Sequence, residues 1–136
     1  MATPVYTLGV VTPERKVYEG TIVSLRAPGG SGYLGVLANH APLVTTLVPG
    51  KLTVREEGGA ERVFAVSGGF LEVADNVAVL LADSAESPDE IDRARAEAAR
   101  ERAKDRLSKG DRDLDRVRAE AALARAMNRL RIAGVR

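Results

Sequence analysis

The sequence predicts a small β-rich domain, a sandwich or barrel, followed by an antiparallel hairpin of two α-helices. Three observations carry that expectation. Short apolar runs punctuated by Gly, Pro and Asn fill residues 5 to 82, the pattern changes at Ser87, and a lone Gly110 divides two long stretches of alanine and charge. At 136 residues the chain makes one compact domain or one small domain with an appendage.

The runs "VYTLGVVT", "TIVSLRA", "KLTVREE", "RVFAVSG" and "NVAVLLA" are rich in Val, Leu and Tyr, and "PGGSG", "VPG", "EGGAE" and "ADN" separate them. Such punctuation turns the chain. In "KLTVREE" alternation puts Leu52 and Val54 on one face and Lys51, Thr53 and Arg55 on the other, so that strand is half exposed. "NVAVLLA" is apolar on both faces and is predicted to lie centrally. Gly58 and Gly59 accept positive φ without a Cβ clash, which favours a tight hairpin between two charged strand ends.

From residue 87 the pattern is helical. "SPDEIDRAR" offers Ser87 as N-cap, Pro88 at the first helical position and Glu90 three residues after the cap, with Asp89 and Glu90 complementing the helix dipole. Gly110 ends this helix, and a second runs from about Asp113. The short connection predicts an antiparallel pair. Its expected seam is Ala96, Ala99, Ala103 and Leu107 against Leu114, Val117, Ala121 and Ala124. Alanine buries little, so each helix is well formed locally but weakly held, as a detachable segment needs to be.

Composition narrows the chemistry. There is no cysteine and a single histidine, which excludes disulfides and thiolate metal sites and makes a histidine metal site a poor expectation. Net charge is +1, unevenly spread: nine acids face six bases through residue 88, and ten acids face fourteen bases beyond it. No apolar run approaches the roughly 18–20 residues of a membrane span, and the start "MATPVYTLGV" does not read as a secretory signal. His40 beside Ser67 lacks the orienting acid and the G-x-S-x-G elbow of a hydrolase, and "PGGSGYLG" lacks the Lys-Ser/Thr of a phosphate loop. The glycine-rich stretch reads better as a surface turn.

The arginines of the C-terminal half are more informative. If the hairpin turns near Gly110, Arg95 approaches Arg125, with Arg129 one turn further on and Arg102 two turns below. From residue 121 onward Arg125, Arg129, Arg131 and Arg136 stand without an acid. Converging guanidiniums repel unless an anion joins them, and Arg suits phosphate oxygens. The simpler reading is a solvated face balanced by Asp92, Glu97 and Glu101. Nucleic acid is a poor fit, because stacking aromatics are absent from this half and net charge is near zero.

The segments "GYLGVLANHAPLVTTLVPGKL", "FAVSGGFLEV", "IDRARA" and "RAMNRL" together resemble the epsilon subunit of bacterial and chloroplast F-type ATP synthases, in order and over nearly the whole chain. One departure is "LANH", where many relatives carry Pro-Gly or Pro-Asn; Ala38 is expected to leave that turn less rigid. The resemblance implies a β-sandwich of about ten strands over residues 1–86 that docks on the rotor, and a regulatory helical hairpin over residues 87–136. It implies a non-catalytic subunit coupling gamma to the c-ring, with Ser31, Gly32, Tyr33 and His40 at the rotor interface. It also implies a hairpin that extends into the catalytic alpha/beta head and inhibits ATP hydrolysis. Membrane association would be indirect, through the complex, at the cytoplasmic face of a bacterial plasma membrane or the stromal face of a thylakoid. The nucleotide motif Ile-Asp-x-x-Arg-Ala of some relatives matches Ile91, Asp92, Arg95 and Ala96, and the surrounding sequence adds Glu86, Arg102, Arg125 and Arg129. No cofactor is required on this reading, and ATP is a possible regulatory ligand that favours the compact form. The alternative is a free-standing ATP-sensing module built on the same hairpin.

Overall fold

The computed structural model describes residues 3–110 and 113–134. Strand β1 (Tyr6–Val11) pairs antiparallel with β2 (Lys16–Gly29) and parallel with β6 (Val77–Ala82). Both β3 (Gly32–Leu37) and β4 (Leu43–Glu56) pair antiparallel with β2. Strand β5 (Glu61–Ala74) joins β4 to β6, and the short β7 (Ala85–Glu86) adds to β5. The order β1-β6-β5-β4-β2 therefore closes on β1, with β3 beyond β2 at the end of the path. This is a flattened barrel, or sandwich.

Among the described residues seven strands form the sheet rather than about ten. The difference lies in β2, β4 and β5, each 14 residues long. Two of them change neighbours along their length: β2 meets β1 up to Ile22 and β3 from Ser24, while β5 meets β7 at Ala65 and Val66 and β6 from Gly69. Between the pairs Leu47↔Gly69 and Pro49↔Ser67 the chain bends. Gly68 and Gly69 sit there at φ +120° and +126°, backbone that residues with a Cβ rarely adopt. Sequence punctuation at "VPG" and "SGG" thus marks a bend inside long strands rather than gaps between short ones.

Inward alternation builds the core. Leu8, Ile22, Leu52, Val54, Leu71 and Leu80 are fully buried, and each side chain of this kind contributes about 1.5–3 kcal/mol. Leu52 and Val54 face in while Arg55 is exposed, as the half-exposed pattern predicts. Strand β6 is central in pairing, yet its two apolar faces fare differently: Ala78 and Leu80 are buried, while Val77 and Leu81 remain 44% and 49% exposed. The β4–β5 hairpin turns through Gly58 and Gly59, the latter at φ +94°. Its ends carry the charges expected, with Arg62 Nε 3.4 Å from Glu56 Oε2.

Glu56 has a second partner. The Tyr18 hydroxyl donates to Glu56 Oε2 (2.5 Å), and the Tyr18 ring meets Phe64 edge-on at 5.7 Å. The hydrogen bond from Tyr18, and then the Arg62 charge, hold the Glu56 carboxyl below the usual range. Burial, then the bond to Glu56, pushes Tyr18 up to about 12; burial does the same to Tyr6, whose hydroxyl donates to the Val36 carbonyl. A phenol protonated in the folded state beyond its unfolded value near 10 contributes stability that is complete below that value and lost as pH rises through about 12. Denaturant unfolding is accordingly expected to show stability falling between pH 10 and 12, with Tyr18→Phe removing roughly half of that slope. A slope unchanged in Tyr18→Phe would contradict the assignment.

The chain divides into two compact units at Ser87/Pro88. In the second, helix α1 (Arg93–Ser108) starts later than the sequence predicts. Pro88–Glu90 forms a separate 3-10 turn, and the N-cap is Asp92, not Ser87. Asp92, at φ −80° and ψ 100°, accepts from the Arg95 amide (3.0 Å), while Ile91 before the cap and Ala96 at the fourth helical position are both buried. That cap plus an apolar staple outcompetes the Ser87 cap. Gly110, at φ +65°, follows the last turn, and helix α2 runs Asp113–Ala133. Among the described residues no helix is long and apolar enough to cross a membrane.

The α1 side of the seam is the one expected: Ala96 and Ala103 are buried, Ala99 and Leu107 half-buried. The α2 side is corrected. Val117 is 62% exposed and Ala121 and Ala124 are exposed, while Ala119, Ala126 and Ala133 are buried with Leu123 and Leu130 half-buried. Leu114 lies outside the described side chains. Helix α2 carries small apolar residues on two faces, and only the stripe at 119, 126 and 133 continues to its end with leucines between.

Candidate functional site

The residues of the Ile-Asp-x-x-Arg-Ala motif have local duties that need no ligand. Ile91 and Ala96 occupy the staple positions, both buried, and Asp92 is the cap, so part of this motif is a helix-start signal. Asp92→Ala is expected to cost the hairpin about 1 kcal/mol, measured as loss of helix stability without nucleotide, with Asp92→Asn close to the parent. Equal stability of all three proteins would remove the cap.

The arginines occupy one flank. Successive residues turn by about 100° around a helix, so Arg95 and Arg102 stand roughly a quarter turn from the buried Ala96 and Ala103, and Arg125 stands similarly from Ala126. For antiparallel helices this places them, with Arg129, Arg106 and Arg118, on the same side of the hairpin. The acids Glu97, Glu101, Asp105 and Glu120 fall on the back or the opposite flank, where Arg100 Nε lies 3.2 Å from Glu101 Oε1 and Arg116 Nε 3.3 Å from Glu120 Oε1. The charge balance drawn from composition is thus segregated in space.

Levels along the hairpin follow from Arg93 Nη2 donating to the Ala133 carbonyl (3.1 Å). Counting from that contact, Arg129 rather than Arg125 is nearest the level of Arg95, and Arg125 lies nearest that of Arg102, each pair within about one turn. Arg95 and Arg102 are exposed, while Arg125 and Arg129 are half-buried. A row of guanidiniums with Glu97, Glu101, Asp105 and Glu120 on other faces fits a polyanion such as a triphosphate. Glu86 belongs to the other unit, in β7 opposite Ala65.

The proposed interface residues lie at the two ends of β3. Ser31 lies in the β2–β3 turn, Gly32 and Tyr33 open β3, and His40 follows the far end of that strand. Tyr33 to Leu37 alone spans about 13 Å of extended chain. Tyr33 is also a structural tie: its hydroxyl accepts from the Lys51 amide (2.9 Å), and Arg26 sits over its ring at 4.6 Å. Hydrogen bonds tie the His40 turn to its surroundings. Asn39, at φ +63°, donates its amide to Asn76 Oδ1 (2.7 Å), Asn76 Nδ2 donates to the Val5 carbonyl (2.9 Å), and His40 Nδ1 donates to Ala41 O (2.7 Å). The Ser67 hydroxyl pairs with that of Ser84 (2.6 Å).

Sequence reasoning missed an outward apolar row. Phe70 (53% exposed) and Leu81 (49%) are cross-strand partners, Val11 follows beside Leu81, and Val44 (70%) lies on the neighbouring strand β4. The signal was present in "NVAVLLA": with one face committed to the core, a second apolar face must look outward. Among the described residues no group of His, Cys, Asp and Glu is arranged to hold a metal ion.

Comparison with known proteins agrees with this architecture. Residues 5–88 match the ATP synthase Delta/Epsilon chain beta-sandwich domain, and residues 89–134 match the long alpha-helix domain of the same chain. The ATP synthase epsilon chain of Pelotomaculum thermopropionicum is 51% identical over 80% of this chain and 81% of its own, and that of Brevibacillus brevis is 48% identical over 76% and 78%. A chain in the cryo-EM structure of the Euglena gracilis mitochondrial ATP synthase, which includes OSCP, F1 and the c-ring, superposes with a TM-score of 0.81 at 27% identity, over 94% of this chain and 81% of that one. With both parts matched in order and half of the aligned residues identical, this chain belongs to the ATP synthase delta/epsilon family and is similar over most of its length to bacterial epsilon chains.

Proposed function

We propose that this chain is a non-catalytic rotor subunit of a proton-translocating ATP synthase whose C-terminal hairpin restrains ATP hydrolysis. The observation that carries the reading is the contrast in packing between the two units. Leu, Ile and Val fill the sandwich, whereas buried alanines dominate the hairpin seam, so the hairpin can change partners while the sandwich stays folded. In this reading the row of Phe70, Leu81, Val11 and Val44 meets the gamma subunit, and the Ser31–Tyr33 end of β3 meets the c-ring. His40, at the strand's other end, reads a separate part of the rotor. Attachment to the membrane runs through the c-ring, on the cytoplasmic face in a bacterium. The arginine flank of the hairpin receives the phosphates of ATP, which supply the negative charge that offsets guanidinium repulsion, while Ile91 is suited to the adenine side.

The test uses the assembled enzyme. The tagged full chain is expected to copurify with gamma and c subunits, and hydrolysis is expected to rise when the chain ends at Glu86. Hydrolysis unchanged by that truncation would overturn the regulatory role. Failure to copurify would favour a free-standing ATP sensor.

A further inference from the structure

We infer that the free edge of β3 is a docking site for an extended strand of a partner protein that carries a carboxylate opposite Gly35. Strand β3 ends the sheet path and pairs only with β2 among the described residues, so one edge keeps alternate N–H and C=O groups open. Exposed edges are ordinarily guarded by charge, proline, a bulge or a covering segment. The segment "GYLGVL" has no charge and no proline, and Tyr33 (45%) and Leu37 (65%) remain exposed on its outward side. An unguarded apolar edge of this kind is what strand addition uses.

Charge identifies the occupant. Gly35 lies directly across from Arg26 of β2. Arg26 is exposed, its guanidinium is held 4.6 Å from the Tyr33 ring centroid, and none of the ion pairs among the described residues involves it. The ring beneath it is itself fixed by the Lys51 amide. On an added strand, the residue opposite Gly35 stands about two strand spacings, roughly 10 Å, from the Arg26 backbone, and Gly35 puts no side chain between them. A glutamate there is directed toward the guanidinium, while residues two positions to either side fall opposite Tyr33 and Leu37. The recognised pattern is apolar-x-Glu-x-apolar. A second copy of β3 fits poorly, because it carries no acid and brings another Arg26 to the same edge. The inference rests on the edge itself and does not require the rotor reading.

The test is amide hydrogen exchange on the full chain with a synthetic seven-residue peptide of alternating Val and Thr around a central Glu, and with its Gln twin. The expected result is slowed exchange confined to β3, with the Glu peptide bound up to about fivefold more tightly than the twin, the range of a cross-strand charge pair. Arg26→Gln should equalise the two peptides, and Leu37→Lys should weaken both; each side chain is exposed, so the fold should tolerate the change. Equal binding of the two peptides by the parent chain would overturn the carboxylate. Unchanged β3 exchange with either peptide would overturn the docking site. Protection of β3 that grows with protein concentration alone would make a second copy the occupant and overturn the partner assignment.

Discussion

Gly69→Ala is expected to destabilise the sandwich by about 3 kcal/mol, lowering its thermal midpoint by roughly 12–24 °C. Two effects add. Gly69 lies at φ +126°, where a Cβ strains the backbone by about 1–2 kcal/mol. That Cβ would also overlap the Leu81 carbonyl oxygen and press on the Ala82 backbone at 2.9 Å, so β5 or β6 must shift in a closed sheet with little freedom to do so. Gly58→Ala is the control, since nothing lies within 4 Å of a Cβ there, and it should change stability by only a few tenths of a kcal/mol. Thermal and urea unfolding of the three proteins decides the matter. A Gly69→Ala protein that melts with the parent would mean that the bend between Leu47↔Gly69 and Pro49↔Ser67 is misplaced.

ATP in hundredfold excess over its Kd is expected to stabilise the closed hairpin by about 2.7 kcal/mol, provided that it binds only the closed form. That is large against a seam of alanines, whose methyl groups contribute little more than about 0.8 kcal/mol each. A ligand of modest affinity could therefore decide between closed and open states, as it could not for a leucine-packed hairpin. Arg125→Ala should abolish most of the gain, because Arg125 is half-buried on the arginine flank at the level of Arg102. In the assembled enzyme the same variant should favour the extended, inhibitory state. Isothermal titration of the isolated chain, with helix content followed in parallel, provides the measurement. No saturable heat up to millimolar ATP, with the hairpin folded, would leave these arginines as contacts for another surface.

Much of the fold was legible because local chemistry and tertiary packing agree. Alternation in "KLTVREE", the Gly58-Gly59 turn and the stop at Gly110 each follow from backbone and side-chain preferences that act over a few residues. Elsewhere two local solutions competed. Ser87 and Asp92 are both good caps, and burial of Ile91 and Ala96 selects Asp92. Two apolar stripes run along α2, and packing against α1 buries Ala119 and Ala126 while leaving Val117 outside. The stretch "PGGSGYLG" reads as a surface turn until pairing with β2 makes Gly32–Leu37 a strand.

By itself the sequence determined the two-part organisation, the alanine seam of α1, the wealth of arginine in the hairpin and the exclusion of disulfide chemistry. These depend on residue type and short spacing alone. Only the tertiary structure decided that β2 and β5 exchange neighbours along a closed sheet, and that Glu97, Glu101, Asp105 and Glu120 turn away from the arginine flank. It also decided that Ser31–Tyr33 and His40 lie at opposite ends of β3 and that Gly35 faces Arg26 on an unguarded edge. Each of those depends on which faces and edges meet across long sequence separations, where register and helical phase outweigh local preference.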